Sequence, residues 1–166
     1  MYLSAINITL SFAGALVFHE MGHFLAARAC RVQITQAGFG WGPKLLSFRV
    51  NGVDYQLHLL PLGAYIRMDM SGLQRRTLVQ QLFVLLAGIA VNLMLGVIAW
   101  GTFFGTLNLV LALGNLFPLY QQDGWKSGMV IFRRVFRRPS PLVEWSFTLS
   151  AGLMASILVM RALFSW

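Results

Sequence analysis

Apolar residues run along this chain in long blocks, separated by a stretch with a different rhythm. Residues 3–27 carry no charge except Glu20. At about 1.5 Å per residue, a helix of that length crosses the roughly 30 Å hydrocarbon core of a bilayer. The pattern predicts a first transmembrane helix over about residues 3–29. From Thr77 to Tyr120 the chain has 44 residues without a charge. That is about 65 Å of helix, enough for two crossings. The turn is expected near Gly101–Gly105, where glycines break the helical pattern, which predicts helices over about 77–102 and 105–121. A last apolar stretch, interrupted only by Glu144 and Arg161, predicts a fourth helix over about 141–164.

Residues 31–70 alternate with a period of two. Asn51-Gly52 is a strong signal for a two-residue hairpin. Pairing outward from it matches Val50 with Val53, Arg49 with Asp54, Phe48 with Tyr55 and Leu46 with Leu57. One face is then Leu46, Phe48, Val50, Val53, Tyr55, Leu57 and Leu59; the other holds Ser47, Arg49, Asp54, Gln56 and His58. Arg49 and Asp54 are expected to form a cross-strand ion pair. Pro61 and Gly63 limit regular pairing beyond the hairpin. The following strand, Ala64–Met68, is expected either to leave an open edge, which can take up an extended peptide, or to be covered by another segment. The predicted fold is an α-helical membrane protein, a single domain over residues 1–166. It has about four transmembrane helices, with a small membrane-associated β-sheet between the first and second.

Composition agrees. Hydrophobic residues make up 57% of the chain and charged residues 11%, against roughly 25% charged in soluble domains. The net charge of +8 is spread too thinly among apolar runs to suggest nucleic acid, and fits anchoring at a lipid surface. Residues 28–76 carry seven Lys and Arg and residues 121–141 carry five, leaving only Arg161. With four crossings both basic segments lie on one side, which the positive-inside rule makes the cytoplasm, so both termini face outward. The single Cys30 excludes an intrachain disulfide and a cysteine-rich metal site. Residues 1–29 lack the basic start of a cleaved signal and are read as retained.

Inside the first apolar block stands His19-Glu20-Met21-Gly22-His23, an HExxH motif. Ionisable groups are costly in hydrocarbon and by default functional there. On a helix, His19 and His23 are one turn apart on one face, where both can hold one zinc ion. Glu20 is then placed to act as general base toward a water activated by the metal. Eight residues before Arg28, it lies roughly 12 Å below the cytoplasmic surface. A third ligand is needed. Asp123 follows a third apolar run in Asn115-Leu116-Phe117-Pro118-Leu119-Tyr120-Gln121-Gln122-Asp123-Gly124. Pro118 breaks the helical hydrogen bonding there. Two readings stand for Asp123: a ligand aimed at the metal, or part of an Asp-Gly turn that ends a helix. His58 falls on the polar face of the sheet, where a hydrogen-bonded or solvated histidine is the simpler reading. Asn92, four residues from both Gly88 and Gly96, reads either as polar glue between helices or as a group beside the site.

HExxH in a first apolar helix with NxxPxxxxDG downstream resembles the site-2 protease family of intramembrane zinc metalloproteases. The likeness extends to Phe24, Ala27-Arg28, Gly38-Phe39-Gly40, Pro61-Leu62-Gly63-Ala64-Tyr65-Ile66-Arg67-Met68 and Ala87-Gly88-Ile89-Ala90-Val91-Asn92, in the family's order. It implies one zinc ion per chain, held by His19, His23 and Asp123, with Glu20 as base. It also implies substrate or oxyanion roles for Asn115, Asn92, Gly63, Ala64, Tyr65 and Ile66. The expected reaction is cleavage within or near the transmembrane segment of a membrane-tethered, single-span protein, in a bacterial or archaeal cell membrane. The chain departs from the family pattern at Ile89, Ala64, Tyr120 and Trp125-Lys126, which bear on pocket shape rather than on the ligands or the base. It has no room for the PDZ or cytoplasmic regulatory domain of many relatives, so it resembles a minimal catalytic core, and a regulator would be a separate protein. The competing classes are a non-enzymatic membrane protein with a structural metal, which has no need of Glu20, and a metal transporter, for which paired broken helices or internal repeats are missing.

Overall fold

The computed structural model describes residues 4–117, 121–136 and 141–164. Helix α1 (Ala5–Ala29) is capped by Ser4, whose hydroxyl accepts from the Asn7 amide. Then come β1 (Ile34–Val50), β2 (Val53–Met68), α2 (Met70–Gln74), α3 (Leu78–Ile98), α4 (Phe103–Leu116), α5 (Asp123–Val135) and α6 (Pro141–Phe164). Mostly helical, with one small antiparallel sheet between α1 and α3, this is the expected architecture in outline.

The hairpin turns where the sequence predicts. Asn51 (φ 51°) and Gly52 (φ 81°) are both left-handed, the conformation that a two-residue turn matched to strand twist demands. The register is the expected one: Val50 opposite Val53, Arg49 opposite Asp54, Phe48 opposite Tyr55, Leu46 opposite Leu57. The ion pair does not form. Asp54 accepts instead from Ser47 (2.9 Å) and from Gln56, short neighbours that reach it without ordering a long arginine side chain. His58 is hydrogen-bonded, its Nδ1 lying 2.8 Å from the Gly42 carbonyl.

Both strands bend midway, and residues 36–39 are paired on two sides, with 64–67 and with 54–57. Residues 64–68 pair with β1 alone. Their other side turns toward α1. The far arm of the sheet is apolar and exposed at Trp41, Leu46, Phe48, Leu57, Leu59 and Leu62, a surface suited to lipid rather than to water.

Helices α1 and α3 are each long and apolar enough to cross a membrane. α4, with 14 residues, is about 21 Å long and falls short of a full hydrocarbon core. It stops at Leu116 rather than near 121 because Phe117 is extended (φ −62°, ψ 139°), as the residue before a proline prefers to be. Pro118, expected to break the helix, lies outside the described residues. The turn between α3 and α4 is at Gly101 (φ 79°). Gly105, expected in that turn, is instead inside α4, where it packs against the Ala99 carbonyl. Helix α5 occupies a segment read from sequence only as a basic connection. Its acidic first turn (Asp123) and basic last turn (Arg133, Arg134) suit the helix dipole.

The core joins the end of α1 to the sheet and to α3. Ala26, Ala27, Cys30, Val32, Ile34, Val53, Leu73, Val84 and Leu85 form one buried cluster. α1 and α3 cross closely. A Cβ on Gly22 would stand 2.7 Å from the Ala87 carbonyl oxygen, so only glycine lets the two backbones approach this far.

Candidate metal centre

α1 presents His19 and His23 on one face, as their spacing requires, and both are buried at 5% exposure. Asp123, the first residue of α5, meets them. Its Oδ2 lies 3.0 Å from His19 Nε2 and 3.0 Å from His23 Nε2, and the two nitrogens are 3.2 Å apart. Asp123 therefore opens a helix and faces the histidines; the reading of Asp-Gly as a helix-ending turn is set aside. Gly124 makes this possible, since a Cβ there would collide with the Leu116 carbonyl at the end of α4.

The donor set fits a zinc ion. Zinc takes histidine nitrogens and carboxylate oxygens at about 2.0–2.1 Å in a tetrahedron, which sets ligand atoms about 3.3 Å apart, close to what is seen. Tautomers point the same way. His23 Nδ1–H donates to the Val84 carbonyl at 2.8 Å, which leaves Nε2 of the neutral ring as a bare lone pair. That lone pair faces a carboxylate oxygen and a second imidazole nitrogen, an arrangement a cation resolves. Among the described residues, His19, His23 and Asp123 form the group able to hold a metal.

α3 closes the centre from behind. A Cβ on Gly88 would run into His23 Nε2 and come within 2.8 Å of His19 Cε1 and Nε2. Sequence reasoning took Gly88 for helix packing and missed that it borders both histidines. Lys126 was missed as well. Its Nζ donates to Asp123 Oδ1 at 3.1 Å, so one carboxylate oxygen serves the histidines and the other the ammonium. The i, i+3 spacing on a helix was the available signal.

Glu20, beside His19, is half-buried and accepts the backbone N–H of Ile66 at 3.0 Å. Of the sheet residues expected to meet substrate, Ile66 thus touches Glu20. Ala64, Tyr65 and Ile66, with Glu20, also line an apolar groove of about 560 Å³ between α1 and the sheet. Gly63 is buried at the bend (φ 114°), against the Trp41 ring. Asn92 is fully buried on α3 one turn beyond Gly88. The Asn115 amide donates to the Leu111 carbonyl at 3.0 Å and so is engaged with its own helix.

Comparison with known proteins supplies the family. The sequence profile of peptidase family M50 matches residues 7–105, a span that holds HExxH, the sheet and α3 but stops short of Asp123. The zinc metalloprotease RasP of Geobacillus kaustophilus is 38% identical over 65 residues, covering 39% of this chain and 15% of that protein. The regulator of sigma-W protease RasP of Bacillus subtilis is 36% identical over 69 residues, covering 41% of this chain and 16% of that protein. The chain spans less than a third of the length of the curated relatives it matches. With the profile matched over more than half of its residues, from the helix that carries both histidines to the start of α4, the chain belongs to peptidase family M50.

Proposed function

We propose that this chain is the catalytic core of a zinc endopeptidase that cuts a peptide bond within or near a transmembrane segment of another membrane protein. The observation that carries the reading is the hydrogen bond from Ile66 to Glu20. It puts a base, the convergent ligand set and the edge of a sheet in one place.

Each residue then has a task. His19, His23 and Asp123 would hold the metal. Zinc, when bound, supplies a Lewis acid that polarises the scissile carbonyl and acidifies water. Glu20 takes the proton of the attacking water and returns it to the leaving amine. A substrate helix must first unwind, because its amides are paired. An unwound stretch laid along residues 64–66 gains main-chain hydrogen bonds from the edge groups that Glu20 leaves open. Its apolar side chains find Val17, Met21, Phe24 and Phe39 in the adjoining groove. One relative is named as a regulator of sigma-W protease, which supports a regulatory protein as substrate; a site at membrane depth suits one tethered by a single span.

The same reading assigns the topology. Basic segments 28–76 and 121–141 face the cytoplasm, α1, α3 and α6 cross the bilayer, α4, shorter than the hydrocarbon core, brings the chain back toward the cytoplasmic side, both termini lie outside, and the metal sits near the cytoplasmic side. The exposed apolar arm of the sheet rests in lipid.

The test is Glu20→Gln in proteoliposomes with a single-span substrate. The amide still accepts from Ile66, so the fold and the zinc content stay as in wild type. Cleavage drops by about 10²–10⁴-fold, the usual worth of a positioned general base. A Glu20→Gln variant that cleaves at the wild-type rate refutes the mechanism.

A further inference from the structure

The two histidines of the centre share a requirement, and the structure shows how only one of them meets it. An imidazole that binds metal through Nε2 carries its proton on Nδ1, and that N–H needs an acceptor to fix the ring. For His23 the acceptor is the Val84 carbonyl at 2.8 Å. His19 is as deeply buried, and its Nδ1 has no hydrogen-bond partner among the described residues. A polar nitrogen left unpaired at membrane depth is costly.

Asn92 Nδ2, Asn92 Oδ1 and Asn108 Oδ1, on the helices that pack against α1, are in the same condition, as is Ser127 Oγ on α5, one turn after Asp123. Both asparagines are 0% exposed. Their placement connects them to His19. Gly88, one turn before Asn92 on the same face of α3, abuts the His19 ring at Cε1, the carbon bonded to Nδ1. α4 packs on α3 where Leu109 meets Gly96, and on α1 where Phe104 meets Gly14. Asn108 lies between those contacts in sequence, one residue before Leu109 and one turn after Phe104. Asn108 is thus within one turn of the contacts that hold α4 against α1 and α3.

Donors and acceptors can be matched among them. His19 Nδ1–H and Asn92 Nδ2 donate; Asn92 Oδ1 and Asn108 Oδ1 accept. We propose that Asn92 is the positioning residue for His19. Its Oδ1 accepts from the His19 Nδ1–H and its Nδ2 donates to Asn108 Oδ1, each through one trapped water, since neither pair is in direct hydrogen-bond contact. Asn108 Nδ2 already donates to the Phe104 carbonyl at 2.9 Å, which anchors the relay to α4. A substrate or oxyanion role for Asn92 is replaced by this one. Packing alone does not account for the residue, since an apolar side chain of similar size would fill the same space between Gly88 and Gly96 without burying an amide. The inference rests on the reading of His19, His23 and Asp123 as a metal centre.

The measurement is zinc affinity of purified, detergent-solubilised full chain, by competition with a chromophoric chelator, with helical content followed by circular dichroism. Asn92→Leu keeps the volume and removes the acceptor; zinc binding is expected to weaken by about 10–100-fold, as for other groups that orient metal-bound histidines, with helicity as in wild type. Asn92→Asp keeps an acceptor oxygen and is expected to hold zinc more tightly than Asn92→Leu. Asn108→Leu shifts affinity the same way by a smaller factor. A packing role predicts the reverse order, with Leu tolerated and Asp harmful, and that order overturns the proposal; so does wild-type affinity in Asn92→Leu. Should Asn92→Leu not fold, the Asp variant decides alone: retained affinity supports the relay and lost affinity overturns it. Wild-type protein that binds no zinc would remove the metal reading and this inference with it, whereas wild-type binding with an indifferent Asn92→Leu removes this inference only.

Discussion

The backbone amide of Ile66 donates to the Glu20 carboxylate at 3.0 Å, so the free edge of the sheet and the proposed base form one unit. The Ile66 N–H points away from β1, and removing it costs no bond within the sheet.

Ile66→Pro tests that unit. Proline deletes the N–H and is tolerated at an edge. A hydrogen bond to a charged group is worth about 1.5–3 kcal/mol, or roughly 10–150-fold. We expect kcat/KM for a reconstituted substrate to fall within that range, zinc content to remain as in wild type, and Ile66→Val to behave like wild type. Unchanged kcat/KM in the proline variant would mean that the edge takes no part in cleavage.

Gly88→Ala is expected to destroy the metal centre without unfolding the protein. The added Cβ falls on His23 Nε2 and within 2.8 Å of His19, while α3 gains helix propensity. Zinc affinity should drop on the order of 100-fold, with helical content preserved. Gly114→Ala is the control, because a Cβ there meets nothing within 4 Å. Full zinc binding by Gly88→Ala would show that α3 does not close the site.

Asp123 and Lys126 separate a ligand from its support. Asp123→Asn leaves the helix start intact but replaces a charged ligand by a neutral amide, and bound zinc measured on purified protein should fall sharply. Lys126 is 41% exposed and steadies only the outer oxygen. Lys126→Ala should therefore weaken zinc by about tenfold, the low end for such supports, and Lys126→Arg should restore most of it. Equal affinities in Asp123→Asn and wild type would take Asp123 out of the ligand set.

What the sequence disclosed follows from the range of each signal. HExxH and the Asn51-Gly52 hairpin are local, and both stand where spacing and turn chemistry place them, down to the pairing of Leu46 with Leu57. The meeting of His19 with Asp123 spans 104 positions; no periodicity reports it, so the need for a third ligand left Asp123 one of two readings and the family likeness favoured it. α5 was hidden because its polar and charged residues drew attention as charge rather than as one side of an amphipathic helix. Gly88 and Lys126 act through contacts between helices or across one turn, and identity alone does not tell a packing glycine from one that backs a ligand. The Arg49–Asp54 pair failed for a related reason: opposition across strands is legible, but the competition from Ser47 and Gln56 depends on side-chain reach.

Metal removal gives the last prediction. Without a cation, the His23 Nε2 lone pair, the His19 ring and the Asp123 oxygen are held 3.0–3.2 Å apart inside a buried pocket that joins α1 to α5. A ligand that binds only the folded state stabilises it by RT ln(1 + [L]/Kd), about 2.7 kcal/mol at a free concentration one hundred times Kd. Zinc should therefore raise the thermal midpoint of the detergent-solubilised protein, a strong chelator should lower it, and readdition of zinc should reverse the loss. His23→Ala should have the lower midpoint from the start and respond to neither. Because the bonds at stake link α1 to α5, hydrogen exchange in the chelated protein should rise first in the turn around residues 121–127, ahead of α3. A midpoint that ignores zinc and chelator in wild type would show that these three residues are held together by something other than a metal.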